Sequence, residues 1–279
     1  MKIIDITPIH SRIRKNLEAF LNGYTETHGE PAVALIKVGN DPASESYFRS
    51  KAKMCQRLGI KVEIHNLNSD VTAGELSSLL GDLSQRNDVD GIMVENKLPE
   101  DISYAVIMDS VSPWKDLDGA SSMNLGLTEK GLPALEPATA RAVLETLNFA
   151  GVRPGTKVCL INRSITVGRP LAMMLLNNNF TPIICHSKTS DLQLECRSSP
   201  VIVSAVGKPA FLNSNFVSKG CTVIDVGINV EKGKIVGDVD TIDLQDLDVN
   251  VTPVPGGIGK LTSILVFDNL RISLQRKAQ

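Results

Sequence analysis

The sequence predicts an α/β protein of two domains, in which parallel strands are joined by helices. Segments with helical and strand-like patterns alternate along nearly the whole chain, which is typical of parallel α/β architecture. In the second half, short β-rich runs recur about every 20 residues, the spacing of βαβ units. The length of 279 residues is that of about two ordinary domains.

The first half of the chain begins with an amphipathic stretch and then alternates strands with helices. AVALIKV, KVEIHNL and GIMV are its strand-like runs. The predicted elements are a helix near 8–23, strands at 32–38, 61–67 and 91–94, and helices near 44–58, 72–86 and 102–111. The polar segment 114–124 ends this pattern.

In the second half, the alternation of helices and strands begins again with a helix at 137–149, which ends before the turn GVRPGT. A rigid, glycine-rich loop, TPVPGGIG, precedes a last helix from about 262 to the end. The predicted strands are 157–161, 181–185, 201–206 and 221–226. We place one domain at 1–117 and the second at 118–261. The sequence leaves open whether the final helix, 262–279, packs back on the first domain.

Composition excludes several classes of protein. Lys and Arg number 29 and Asp and Glu 31, so the net charge of −2 gives no reason to expect a nucleic-acid partner. There is no apolar run long enough for a signal peptide or a membrane span. The five cysteines are an odd number without a C-x-x-C pair, as in a reduced, cytoplasmic protein. The four histidines form no zinc-hydrolase motif, and we expect no metal.

Lys51 is a cation in an otherwise apolar helical stripe. Tyr47, Met54, Cys55 and Leu58 lie on the same face at helical spacing. One interpretation is that the amine snorkels to water along the edge of the stripe. The other is that the amine is partly desolvated and acts as a general acid or base, with the ring of Tyr47 stacking on a flat substrate. The pattern alone leaves both open.

The segment NRSITVGRPLAMML follows the strand at 157–161 and predicts an anion-binding turn at a helix N-terminus. The G-x-G-x-x-G fingerprint is absent, so the generic motif is weak support. The next strand ends in Cys185-His186-Ser187-Lys188, without the acid that an NAD site places there. Arg163, Ser187 and Lys188 suit a 2′-phosphate, which favours NADP over NAD. The alternative is that the two cations are solvated loop charges.

A set of motifs covers nearly the whole chain: VGNDPASESYFRSKAKMCQRLGI, KDLDG, NRSITVGRPLAMML, CHSKT, VSAVGKPAF, VIDVGIN, GDVD and TPVPGGIGKLT. In these motifs and in their order, the chain resembles the methylenetetrahydrofolate dehydrogenase/methenyltetrahydrofolate cyclohydrolase family. The RSxxVGRP and TPVPGG loops are the most specific of them.

The resemblance implies an N-terminal α/β catalytic domain and a C-terminal Rossmann-like NADP-binding domain, with folate held against NADP in a cleft between them. It also implies a cytoplasmic homodimer of one-carbon metabolism, serving purine biosynthesis. The implied reaction oxidises 5,10-methylenetetrahydrofolate with NADP and hydrolyses the methenyl product to 10-formyltetrahydrofolate.

The family's functional residues fall on matching positions of this chain. Tyr47 and Lys51 match its catalytic pair, and Asp118 matches the aspartate that anchors the pterin. Glu95 stands at the position of a glutamine that hydrogen-bonds the lysine. Substrate contacts are implied for Tyr47, Lys51, Asp118, Pro255, Gly256 and Gly257, and NADP contacts for Asn162, Arg163, Ser164, Ser187 and Ile228.

Glu95 is the departure with the clearest consequence. A carboxylate beside Lys51 favours the ammonium form and weakens the lysine as a base, so cyclohydrolase activity is in doubt more than dehydrogenase activity. Lys97 is an alternative partner for Glu95, and the sequence does not decide between the two pairings. The alternative functions are a dehydrogenase only, a folate- and NADP-binding protein without turnover, or another NADP dehydrogenase on a similar scaffold.

Overall fold

A computed structural model describes residues 1–39 and 42–278, and the side chains of 42–44, 46 and 47 lie outside that description. The chain divides into two compact units. The N-terminal unit comprises Ile13–Leu127, Leu132–Glu136 and Val266–Gln279. The C-terminal unit comprises Met1–Arg12, Thr128–Gly131 and Pro137–Leu265.

The elements before residue 137 alternate strands and helices as the sequence predicts. They are β1 (Lys2–Ile3), α1 (Thr7–His28), β2 (Ala32–Val38), α2 (Pro42–Arg57), β3 (Lys61–Leu67), α3 (Ala73–Gln85), β4 (Gly91–Val94), α4 (Tyr104–Ile107), a 3-10 turn (Met108–Ser110) and α5 (Ser122–Glu129).

The elements from residue 137 onward follow the same alternation up to a hairpin. They are α6 (Ala138–Phe149), β5 (Lys157–Ile161), α7 (Gly168–Asn177), β6 (Thr181–Cys185), α8 (Leu192–Arg197), β7 (Val201–Ser204), a 3-10 turn (Ser214–Phe216), β8 (Thr222–Asp225), β9 (Asn229–Glu231), β10 (Lys234–Val236), β11 (Asn250–Val251) and α9 (Ile258–Lys277).

The N-terminal unit is built on a parallel sheet of order β3-β2-β4. Its central strand β2 is almost wholly buried, because both of its faces are covered. Helix α3 begins with a capping box between Thr72 and Glu75, which satisfies two backbone donors at the helix start. Its leucines Leu76, Leu80 and Leu83 pack into the same core as Ile36 and Ile92.

The C-terminal unit is built on a sheet of order β1-β11-β8-β7-β5-β6, in which every pairing is parallel. The register aligns Cys185, Ile161, Ser204 and Asp225 in one row at the carboxyl ends of β6, β5, β7 and β8. In open parallel sheets this edge is where ligands bind. The sheet therefore brings the loops after four strands to one edge of this unit.

The strands predicted at 32–38, 61–67, 91–94, 157–161 and 181–185 are confirmed. The predicted helix near 102–111 is instead one short helix, α4, followed by a 3-10 turn. Hydrogen bonds to α3 explain this difference, since Ser110 meets Ser77 and the amide of Ser112 donates to Ser84. Tertiary contacts thus override the local helical pattern.

Other differences arise from pairings between distant residues. Strands β1 and β11 pair with each other, so residues 1–12 belong to the C-terminal unit. Residues 118–127 belong to the N-terminal unit, whereas the predicted boundary lies at 118. The antiparallel hairpin β9–β10 was not predicted. The final helix starts at Ile258, and its Asn269 donates to the carbonyl of Leu117 (2.9 Å) within the N-terminal unit.

Among the residues described, no helix is both long enough and apolar enough to span a membrane.

Candidate active site and cofactor site

The amphipathic pattern of α2 places Lys51 inward, as the stripe predicts. Cys55 and Leu58 on the same face are buried, whereas Lys53 and Arg57 are exposed. Lys51 itself is 9% exposed, so its amine lies in the protein interior rather than at the edge of the helix. Tyr47 lies on the same helix, but its side chain is outside the described part of the structure.

Glu95 is the residue that Lys51 meets. It follows β4 directly and its amide donates to the carbonyl of Ile36 (2.9 Å), which continues the ladder of the sheet. The distance from Glu95 Oε1 to Lys51 Nζ is 3.2 Å, and both residues are buried. Of the two pairings that the sequence allows, the Lys51–Glu95 pair is therefore formed, while Lys97 is exposed.

Asp118 is presented by a tight turn after the isolated bridge between Ile92 and Asp116. Gly119 has a φ of 67°, in the left-handed region that favours glycine, and its amide donates to the carbonyl of Asp116 (3.1 Å). Asp116 is fully buried, and its Oδ2 accepts from the amide of Ser121 (2.8 Å) and from Asn124 Nδ2 (3.0 Å). This network fixes the turn from which the Asp118 carboxylate projects.

The environment raises the pKa of Asp118 to about 6. Burial is the main cause, because it disfavours the charged form, and the nearby carboxylates of Asp116 and Glu95 add to it. Lys51 and a hydrogen bond from Tyr104 act in the opposite direction. Asp118 is therefore mostly ionised at pH 7 and protonated in mild acid.

Tyr104 is a member of this cluster that the sequence did not indicate. It is the first residue of α4 and packs against the core cluster of the N-terminal unit. Burial, followed by the charges of Asp118, Asp116 and Glu95, raises the pKa of Tyr104 well above its ordinary value. It therefore remains a neutral phenol and a hydrogen-bond donor. No pattern around this position in the sequence marks it.

The cluster holds buried acceptors that the protein does not satisfy. Among the described residues, Glu95 Oε1 has Lys51 Nζ at 3.2 Å, whereas Asp116 Oδ1 and Asp118 Oδ2 are buried carboxylate oxygens of this cluster without a hydrogen-bond partner. Buried polar atoms are normally hydrogen-bonded, so these oxygens call for an explanation. A ligand that brings N–H donors would provide it.

In the C-terminal unit, Asn162 shapes the loop between β5 and α7. Its Oδ1 accepts from the amides of Ser164 (2.7 Å) and Gly168 (3.0 Å), and its Nδ2 donates to the carbonyl of Ala205 (2.6 Å). A Cβ at Gly168 would lie 2.4 Å from the Asn162 carbonyl oxygen, so only glycine fits there. The loop thus closes tightly onto the N-terminus of α7, where the amide of Gly168 donates to Asn162 and that of Arg169 to the carbonyl of Ser164 (2.9 Å). The positive end of the helix dipole favours an anion there.

The other predicted cofactor residues lie at the same edge of the sheet. Arg163 and Ser187 are exposed, following β5 and β6 respectively. The loop after β6 is fixed by hydrogen bonds from the amide of His186 to Thr189 Oγ1 (2.9 Å) and from the amide of Lys188 to His186 Nδ1 (3.1 Å). This loop carries no carboxylate at the position where an NAD site holds the ribose.

Asp238 organises two further loops at this edge, a role that the sequence reasoning missed. The buried carboxylate accepts from the amides of Val206 (2.6 Å), Gly207 (3.2 Å) and Lys208 (3.0 Å), and from the side chains of Ser204 and Asn229 (3.0 Å each). The bond from Asn229 to Asp238, with that from the amide of Gly227 to Asp225 (2.9 Å), fixes the chain on both sides of Ile228, which is 63% exposed. The motif GDVD was the available signal.

The segment Pro255–Gly257 lies just before α9 in the C-terminal unit. Pro255 and Gly256 are exposed, and Gly256 has a φ of 100°. Gly257 is buried, and a Cβ there would lie 2.2 Å from the carbonyl oxygen of Pro253. Glycine is therefore required for the close packing of this turn.

Both parts of the chain match known proteins. Residues 4–118 match the family model of the tetrahydrofolate dehydrogenase/cyclohydrolase catalytic domain, and residues 137–278 match the NAD(P)-binding domain of the same family. The bifunctional protein FolD of Thermoplasma acidophilum is 40% identical over 97% of this chain and 96% of its own length.

Two solved structures are similar to this chain over nearly its whole length. The bifunctional FolD methylenetetrahydrofolate dehydrogenase/cyclohydrolase of Campylobacter jejuni is 36% identical, with a TM-score of 0.94 over 99% of each chain. The Trypanosoma brucei methylenetetrahydrofolate dehydrogenase–cyclohydrolase, solved with NADP and an inhibitor, is 28% identical. Its TM-score is 0.91 over 99% of this chain and 98% of its own.

Proposed function

The chain belongs to the tetrahydrofolate dehydrogenase/cyclohydrolase family, and we propose that the cluster of Lys51, Glu95 and Asp118 is its catalytic centre. The enzyme oxidises 5,10-methylenetetrahydrofolate to 5,10-methenyltetrahydrofolate with NADP and hydrolyses the product to 10-formyltetrahydrofolate. The observation that carries the residue assignment is the buried Lys51–Glu95 ion pair together with two unpartnered carboxylate oxygens, Asp116 Oδ1 and Asp118 Oδ2.

Asp118 anchors the pterin in this proposal. The pterin ring presents an amino group and a ring N–H side by side, and a carboxylate can accept from both. Asp118 Oδ2 is buried without a donor, and the turn ending at Gly119 holds it in place. Binding the pterin satisfies this oxygen and fixes the orientation of the reacting carbons.

Lys51 acts on the reacting centre of the substrate. In the first step it orients and polarises the one-carbon bridge, and NADP, when bound, accepts the hydride. In the second step water attacks the methenyl carbon and must lose a proton, for which a neutral Lys51 amine is the base. The Glu95 carboxylate, 3.2 Å from Nζ, favours the ammonium instead. Tyr47, on the same helix, stacks on the folate in this proposal.

The loops of the C-terminal unit suit NADP. Arg163 and Ser187 hold the 2′-phosphate and the N-terminus of α7 receives the pyrophosphate, while Ile228 packs against the nicotinamide. Asn162 contributes by closing the loop, since its amide group is used within the protein. Ser164 lies in the same loop, and Pro255, Gly256 and Gly257 are proposed to contact substrate.

We also propose the finer features of the enzyme. It works as a homodimer in the cytoplasm, provides formyl groups for purine biosynthesis, and binds neither nucleic acid nor membrane. The five cysteines are free and buried, as a reducing compartment permits. The exposed Val230 and Ile235 of the β9–β10 hairpin suit a contact between subunits. The boundary between catalytic and NADP-binding domains lies between 118 and 137, where one family model ends and the other begins.

The test follows both steps with the purified protein. Given 5,10-methylenetetrahydrofolate, the protein reduces NADP faster than NAD, and the methenyl product then disappears faster than it does without enzyme. If NADPH formed and the methenyl compound accumulated, the protein would be a dehydrogenase only. If both ligands bound without NADPH formation, the residue assignment would fail and the binding-protein alternative would stand.

Replacing Glu95 with glutamine is expected to raise the cyclohydrolase rate. The change removes the carboxylate 3.2 Å from the buried Lys51 amine, which favours the neutral amine that the second step needs. The methenyltetrahydrofolate hydrolysis rate at pH 7 is expected to rise about tenfold, which corresponds to about 1.4 kcal/mol in favour of the neutral amine. Glu100→Gln, at an exposed position, is the matched control. An unchanged or slower hydrolysis would count against the role of Glu95.

Replacing Arg163 with alanine is expected to raise the KM for NADP much more than the KM for NAD. Hydrogen bonds to charged groups contribute about 1.5–3 kcal/mol, so the KM for NADP rises roughly 10- to 100-fold, while the KM for NAD changes little. Arg153→Ala removes an exposed arginine before β5, at the opposite end of that strand, and leaves both constants unchanged. Equal changes for NADP and NAD would contradict a 2′-phosphate contact.

A further inference from the structure

We propose that Asn269 of the final helix α9 is a positioning residue for folate binding. Its side-chain amide fixes the peptide bond that precedes Asp118, and with it the direction of the Asp118 carboxylate. The inference rests on the proposed role of Asp118 as the pterin anchor, and it adds a residue that lies outside the motifs on which the family resemblance rests.

Asn269 holds two stretches of backbone through one amino group. The residue is fully buried, and its Nδ2 donates to the carbonyl oxygens of Leu117 and Glu136, both at 2.9 Å. An amide nitrogen has two N–H groups, so each carbonyl can receive one of them. The bond to Glu136 fixes the orientation of the amide, and the amide in turn fixes the carbonyl of Leu117.

Asp118 lies between two peptide groups that are both held. Because a peptide bond is planar, the Leu117 carbonyl and the Asp118 amide move together, and the bond from Asn269 fixes their plane. The plane after Asp118 contains the amide of Gly119, which donates to the carbonyl of Asp116 (3.1 Å). Both backbone rotations of Asp118 are thereby set. Since no described residue donates to its Oδ2, the backbone is what directs this oxygen before substrate binds.

The helix α9 is itself fixed to the segment that carries the turn. Asn269, Ser273 and Arg276 lie at i, i+4 and i+7, on one face of the helix. Ser273 donates to the carbonyl of Trp114, and the guanidinium of Arg276 lies 3.9 Å from the centre of the Trp114 ring. Asn269 therefore meets Leu117 from a helix face that two further contacts hold in place.

The experiment is a double-mutant cycle between Asn269→Leu and Asp118→Asn, with KM and kcat measured for 5,10-methylenetetrahydrofolate. Leucine keeps the branched shape of the side chain but donates no hydrogen bond. The Asp118 carboxylate is then less well aligned, so we expect KM to rise about tenfold, while kcat and the KM for NADP change less than about twofold. In the Asp118→Asn background the same substitution has no further effect on KM, because the carboxylate that Asn269 positions is absent.

Two further variants separate positioning from a general loss of stability. Leu80→Ala removes buried contacts of α3 in the same unit, so it lowers the unfolding temperature but leaves KM unchanged. Ser273→Ala removes one hydroxyl from α9 and serves if Asn269→Leu does not fold. It raises KM by a smaller factor, and again only while Asp118 is present.

The outcomes distinguish the inference from the proposed function. A wild-type KM in both α9 variants, or an increase of the same size with and without Asp118, would overturn the role of Asn269. If Asp118→Asn alone left KM unchanged, the proposed pterin anchor would fail instead.

Discussion

Lys51→Met is expected to abolish most cyclohydrolase activity while folate and NADP still bind. Methionine keeps the length and the apolar contacts of the side chain on α2 but removes the amine. A positioned general base contributes roughly 10²- to 10⁴-fold, so the methenyltetrahydrofolate hydrolysis rate falls by about that factor. Dehydrogenase activity falls less, because hydride transfer depends mainly on alignment of the two rings. Stopped-flow absorbance separates the two steps.

Lys53→Met is the matched control, because Lys53 lies on the exposed face of the same helix and leaves both rates unchanged. Thermal shifts with folate and with NADP show whether binding survives in each variant. Hydrolysis that continued at the wild-type rate in Lys51→Met would assign the base to another group. Loss of folate binding in the same variant would indicate that Lys51 contributes to affinity rather than to chemistry.

Local pattern was sufficient to predict much of the fold. The apolar runs at 32–38 and 157–161 could be read as strands because they become central strands buried on both faces. The sequence pattern could not predict the pairing of strands that lie far apart along the chain. Strand β1 has two residues and exists only because β11, far along the chain, lies beside it. The strands β9 and β10 have only three residues each, too few for a strand pattern, and the turn at Lys232-Gly233, with positive φ at both residues, joins them.

The sequence likewise predicted some residues of the candidate site and missed others. Periodicity alone placed Lys51 on an inward face, and its burial is observed. The contact with Glu95 joins α2 to the end of β4, so it became visible only in three dimensions. Tyr104 was missed because α4 is four residues long and has no periodicity of its own.

Asp118→Asn is expected to have the second of the two largest effects. Asparagine offers one acceptor and an amino group that repels the N–H donors of the pterin. Two hydrogen bonds to a charged acceptor contribute about 1.5–3 kcal/mol each, so kcat/KM for 5,10-methylenetetrahydrofolate falls roughly 10²- to 10⁴-fold. The acid limb near pH 6 disappears as well, because the titrating group is gone. Asp101→Asn, at an exposed position, retains the wild-type profile.

Stability is expected to change in the opposite direction in Asp118→Asn. The folded pKa of Asp118 is about 6 against an ordinary value of 3.8, so the wild-type protein binds the proton more tightly when folded and loses stability as the pH rises from 4 to above 6. About two pKa units correspond to up to about 3 kcal/mol at pH 8, which the uncharged asparagine does not lose. The variant therefore unfolds at a higher temperature than wild type at pH 8, with the difference shrinking towards pH 4.

A lower unfolding temperature at pH 8 would mean that Asp118 stabilises the fold. A higher one, with activity lost, would mean that the protein keeps a destabilising buried carboxylate for its substrate.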